Sequence, residues 1–140
     1  MRLYSFVMGN YLNAGQHGIQ TGHAAVDLTL QDNCIAKEWA RHHKTFIILN
    51  ARNYAGLREV SALLTTYISS YNKVSADEDE IPFTSFYEDK NSLNNIQTCF
   101  ACILPESFYD DKHHDYIMNN QTVCRDLIKS LIKEYNLVQL

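Results

Sequence analysis

Two short apolar runs, "LYSFVM" (Leu3–Met8) and "TFIILN" (Thr45–Asn50), constrain the fold more than any other feature of the chain. Each is rich in aromatic or β-branched residues and bounded by polar, turn-forming ones, so each reads as a strand. The stretch between them is far too long for a hairpin loop and carries helical periodicity. A strand–helix–strand order of this kind places its two strands parallel, joined by a right-handed crossover. The second run is apolar through Leu49, which predicts a central strand covered on both faces.

The crossover helix is expected from Gly15 or Gly18 to about Leu30. Ile19, Val26 and Leu30 form its apolar face, and Gly22, Ala24 and Ala25 let it lie close to its neighbour. Residues 31–43 continue and end it, with Trp39 as a core anchor. A second amphipathic helix spans about Tyr54 to Tyr71, with Leu57, Val60, Leu64, Tyr67 and Tyr71 as its stripe and Asn53 as its N-cap. The acidic run Asp77 to Glu80 reads as a solvated loop. Two more strands, Phe83–Tyr87 and Thr98–Leu104, are joined by "EDKNSLNNIQ", and Pro105 closes the second because it cannot continue a ladder. After the polar connection "DDKHHDYIMNNQ", a last amphipathic helix runs from Thr122 to Tyr135 with Val123, Leu127, Leu131 and Ile132 inward. The order βαβαββα predicts one α/β domain over residues 1–140. Its layers are a small mixed sheet of about four strands and the helices that flank it.

Composition narrows the function. The 140 residues, 46% hydrophobic and 20% charged, suffice for one buried core. No run approaches the roughly 20 apolar residues that span a bilayer, and Met1–Tyr4 opens no signal-peptide pattern. With no secretion signal, Cys34, Cys99, Cys102 and Cys124 read as reduced thiols of a cytoplasmic protein. The net charge of −4 argues against an extended nucleic-acid surface, which gains affinity by neutralising phosphates with Lys and Arg. A small nucleotide or a single RNA end needs only a few donors and stays open.

Two polar patches carry the candidate chemistry. In "GQHGIQTGHAAVDL" (Gly15–Leu28), residues Gln16, Gln20, His23 and Asp27 are spaced to lie along one face of a helix. The glycines are expected to leave backbone N–H groups uncovered at the helix start, where a carbonyl oxygen or phosphate is favoured. In "FYEDKNSLNN", Glu88 and Asp89 follow a strand at the sheet edge where small α/β folds bind ligands. The plain alternative for both patches is a wetted surface. "CFAC" (Cys99–Cys102) has metal-pair spacing, but residues three apart on a strand face opposite ways, so these cysteines read as small buried hydrophobes. His42-His43 and His113-His114 diverge on any regular element, and no nucleophile elbow is present. Neither a metal nor a cofactor is expected.

"GIQTGHAAV" (Gly18–Val26) resembles the helix signature of the archaeal and eukaryotic class of peptidyl-tRNA hydrolase, class 2. That helix opens Gly-Lys-Ile-Ala-Ala-Gln and continues into a Gly-or-Ser-His-Ala-Ala run. "PFTSFYEDKNSLNNIQTCFACILPE" (Pro82–Glu106) is similar to that family's strand, Asp-Ala-Gly loop and final strand, and Trp39 and "HHKTFIIL" keep the order between. The resemblance spans most of the chain up to Pro105 as scattered matches. It sets Gln20 and His23 on the family's Gln and His, Glu88 or Asp89 on its acidic position, and Thr98 on its threonine. The family's helix-start lysine falls on Gln16 and the preceding basic position on Ala14, and a glutamine supplies no positive charge to an oxyanion or phosphate.

What the resemblance implies is therefore a family pocket without the family's catalysis. The ligand would be a small nucleotide or the adenosine-like 3′ end of a tRNA, bound by sequestration, as in a virus-encoded trap for a nucleotide signal. The residues implied to bind are Tyr11, Gly15, Gln16, Gly18, Gln20, His23, Phe86, Tyr87, Glu88 and Asp89, with Tyr11, Phe86 and Tyr87 as stacking platforms. The competing reading is a working aminoacyl- or peptidyl-tRNA hydrolase with His23, Asp89 and Thr98 catalytic. A homodimer or higher homo-oligomer is expected, and a third reading is a scaffold that self-associates through the sheet face.

Overall fold

The computed structural model describes residues 1–10, 13–88, 95–110 and 119–138. Its four strands, β1 (Arg2–Val7), β2 (Phe46–Asn50), β3 (Phe83–Tyr87) and β4 (Gln97–Leu104), form one mixed sheet in the order β2-β1-β4-β3. β1 and β2 run parallel, with Leu3 opposite Phe46 and Val7 opposite Asn50, as a strand–helix–strand unit demands. β4 lies antiparallel between β1 and β3. The helices are α1 (Ala14–Leu30), the short α2 (Cys34–Glu38), α3 (Tyr54–Asn72) and α4 (Asn120–Lys133). The expected α/β class and mixed four-stranded sheet are present, with α2 as one added element.

"TFIILN" is not a central strand. β2 is an edge strand with Phe46 exposed and only Leu49 buried, while β4 is buried along its whole length. An apolar run looks alike in both settings, because here the apolar cover comes from elsewhere. Trp39 meets the Phe46 ring edge-on at 5.1 Å, and residues 136–138 add to the outer edge through Asn50 N–H to Asn136 O and Val138 N–H to Ile48 O. Trp39 sits in the π-helical turn Trp39–His43, buried as expected, with its indole N–H on Thr45 O.

α1 is rotated from its expected setting. It buries His17, Gln20, Thr21, Ala24, Ala25 and Leu28, whereas Ile19, Val26 and Leu30 are exposed. The amino-terminal half of the buried face is polar because the sheet beneath it is polar. Thr21 Oγ1 lies 2.8 Å from Ser5 Oγ, which also contacts Cys99 Sγ at 3.1 Å. Ala24 and Ala25 make the close approach; a Cβ added at Gly22 would meet nothing within 4 Å.

The opposite face of the sheet is covered by α3, with α4 packed on α3. Asn53 caps α3 as expected, and Leu57, Val60 and Leu64 are fully buried. A Cβ on Gly56 would lie 2.2 Å from Ala51 O, so only glycine lets the first turn of α3 seat against the end of β2. In α4 the buried residues are Thr122, Ile128 and Leu131, while Val123 and Leu127 are each 42% exposed, contrary to the expected inner side. Among the described residues, helices pack on both faces of the sheet. Among the described residues no helix is long and apolar enough to cross a membrane.

Candidate functional site

The ends of β1, β2 and β3 and the start of β4 share one edge of the sheet, and α1 and α3 begin there. This is the carboxyl-terminal edge of the parallel pair, where α/β sheets bind ligands. The decisive local feature is a bulge. Phe86 pairs with Cys99 but Tyr87 pairs with Gln97, so Thr98 is an extra residue in β4.

Strict alternation would put Thr98 on the α3 side with Phe100. The bulge turns it to the α1 side beside Cys99, where its hydroxyl donates to Gln20 Oε1 at 2.8 Å. The same bulge sets Gln97 on the α3 side, where it donates to Ser61 Oγ. At its other end Gln20 Nε2 donates to Glu88 Oε2 at 2.9 Å. A carboxylate only accepts, so this contact fixes which end of the Gln20 amide is nitrogen and leaves its oxygen to Thr98. Of the two carboxylates that the sequence offers, Glu88 is within the described residues and reaches the helix. One turn along, the exposed His23 ring lies flat on Phe86, with centroids 4.6 Å apart and planes 8° from parallel.

The structure therefore brings together Gln20, His23, Phe86, Glu88 and Thr98, drawn from one helix, two strands and the residue that follows β3. It does not bring Gln16. Asn13 Oδ1 accepts the Gln16 N–H at 2.9 Å and Gln16 Oε1 accepts the Asn13 N–H at 3.2 Å, a capping box. The box takes up the Gln16 N–H of the first turn, and the His17 N–H is bonded to Asn13 O. A Cβ at Gly15 would meet only Asn13 Oδ1, at 3.4 Å, and at Gly18 nothing within 4 Å. Tyr87 falls on the α3 side, away from the cluster. Tyr11, Asp89, His113 and His114 lie outside the described residues.

One member of this face escapes a reading based on apolar spacing. His17, one turn before Gln20 and Thr21, is buried; its Nε2 donates to Met8 O at 3.2 Å, and its buried Nδ1 has no partner among the described residues. The signal that finds it is polar periodicity: His17, Gln20, Thr21 and Ala24 follow helical spacing. Cys99 and Cys102 flank opposite sides of β4, as their spacing predicts, and burial pushes both thiols up to about 12, so they are protonated and unreactive at neutral pH.

Chemically, the cluster offers a flat aromatic platform, a clamped carboxamide and a carboxylate that accepts N–H or O–H donors. No protein-family model matches the chain, and a search of curated proteins finds no match.

Proposed function

We propose that this protein is a divergent relative of class 2 peptidyl-tRNA hydrolase that sequesters a small nucleotide or the adenosine-like end of an RNA without cleaving it. The observation that carries this reading is Gln20, held between Glu88 and Thr98 beside the His23–Phe86 stack. The outer face of His23 receives the base; stacking on an aromatic contributes roughly 1–3 kcal/mol. Glu88 accepts from the amino or hydroxyl groups of the ligand, and the clamped Gln20 holds Glu88 in place before binding, which lowers the ordering cost. Binding without turnover is supported by Gln16, an uncharged residue committed to the helix cap where the resembled family carries its lysine. Exposed Ile19, Val26 and Leu30 on the outer side of α1 support a homo-oligomer.

Thermal unfolding across a nucleotide panel tests the reading. A ligand at about 100 times its Kd adds about 2.7 kcal/mol, and the stabilisation is expected to vanish in His23→Ala. A panel that moves no melting temperature removes the proposal. Release of free tRNA from peptidyl-tRNA, abolished in His23→Ala, replaces it with the hydrolase.

A further inference from the structure

On the opposite side of the same sheet edge lies a cavity of about 370 Å³, lined by Tyr54, Arg58, Ser61, Ser85, Tyr87 and Gln97 among others. The sheet separates it from the Gln20 cluster, and the two share no residue. Tyr54, Arg58 and Ser61 sit four and three residues apart on the first turns of α3, so they share a face. The Gly56–Ala51 contact fixes that face over the sheet edge.

The floor of the cavity is polar where a helix meets a sheet, a place normally filled by apolar pairs. Gln97 is only 5% exposed, and its amide nitrogen donates to Ser61 Oγ at 2.8 Å and to Ser85 Oγ at 3.2 Å. The Ser61 hydroxyl itself donates to Leu57 O. Ser85 accepts from Gln97, which leaves its proton as a donor for whatever enters. The hydrogen bonds among these side chains satisfy the floor and fix its groups in place before anything binds. On the wall, the Arg58 guanidinium stands 5.7 Å from the Tyr54 ring centroid, and no carboxylate among the described residues pairs with it. The Tyr87 ring, half exposed, supplies a second aromatic wall.

We infer that this cavity binds a phosphomonoester carried on a planar ring, with the phosphate on Arg58 and the Ser85 hydroxyl and the ring against Tyr54 and Tyr87. Arg and a hydroxyl donor are the groups that recognise phosphate oxygens, two phenol rings hold a planar partner, and the volume lies in the range of small-molecule sites. A nucleobase and a phenol both meet this description, and the test offers both.

Tyrosine fluorescence and calorimetric titration of the full chain with AMP and with O-phospho-L-tyrosine read the site directly. At least one of the two is expected to bind saturably, and the tighter identifies the ring. Arg58→Gln, on an exposed helix position, is expected to weaken it about tenfold, and Ser85→Ala several-fold, with unchanged melting temperatures as the folding control. Affinity equal in Arg58→Gln and the unaltered chain overturns the inference, as does absence of binding by both compounds at millimolar concentration. Because Arg58 lies outside the Gln20 cluster, nucleotide binding that survives Arg58→Gln but not His23→Ala speaks for the site on α1 and against this one.

Discussion

Thr98 reaches Gln20 only because β4 holds one residue more than the strand beside it. The 2.8 Å bond joins residues 78 positions apart and links the sheet to the face of α1 that carries the candidate site. Both side chains are buried, so the bond is exchanged for nothing when one partner is removed. Thr98→Val keeps the shape, leaves Gln20 Oε1 unsatisfied and is expected to cost about 1–3 kcal/mol. Adding Gln20→Leu removes the orphaned acceptor as well. The double variant should then lose less than the sum of the singles, as urea melts of the four proteins in a mutant cycle will show. Additive losses would mean that the two side chains are energetically independent.

Glycines in two helices are expected to respond in opposite directions. Gly18 and Gly22 lie in the middle of α1 with open space where a Cβ would stand. Alanine there gains helix propensity and should stabilise the chain by up to about 1 kcal/mol per site. Gly56 also opens a helix, but its Cβ would meet Ala51 O at 2.2 Å. Gly56→Ala should therefore lower the melting temperature by forcing α3 off the end of β2, and with it Tyr54 and Arg58.

The capping box makes a prediction about Asn13 and Gln16 that differs from any role in ligand contact. Asn13→Ala removes the acceptor of the Gln16 N–H and is expected to cost about 1 kcal/mol. Gln16→Ala loses the weaker reciprocal bond to the Asn13 N–H and should cost less. Denaturant midpoints rank the two. Nucleotide affinity unchanged in Gln16→Ala agrees with a structural role, and a large loss of affinity would return Gln16 to the pocket.

The order of elements was legible because strand runs, helix stripes and caps are local signals: Asn53 caps α3, Phe83–Tyr87 is β3, and Leu57, Val60 and Leu64 are core. The rotation of α1 was not, because its buried face begins with His17, Gln20 and Thr21, and hydrophobic periodicity counts such residues as solvent-facing. Ile19, Val26 and Leu30 then fit a stripe that in the fold is largely exposed. Placement of β2 was lost for a related reason, since an edge strand covered by Trp39 and residues 136–138 is as apolar as a central one. In the site, Gln20 and His23 were readable from helical spacing. Thr98 was placed there by resemblance alone, because alternation along β4 assigns it to the other face and a one-residue bulge leaves no mark in the sequence.

The two thiols of β4 tie stability to alkaline pH. Burial raises Cys99 and Cys102 from an ordinary value near 9 to about 12, with the Ser5 hydroxyl opposing the rise at Cys99. At neutral pH both are protonated and enclosed, so a thiol reagent should label the exposed Cys34 and reach these two only after unfolding. Between pH 9 and 12 the unfolded chain gives up these protons and the folded chain keeps them, so the folded state binds more protons and its stability falls as pH rises. Each thiol contributes a slope of up to about 1.4 kcal/mol per pH unit across that window and none below it. Tyr4, also pushed up by burial, adds in the same direction at its upper end. Cys102→Ala lowers stability at every pH through the lost packing, yet its melts should decline less steeply from pH 9 to 11 than those of the unaltered chain. Parallel declines would assign the lost protons to other groups.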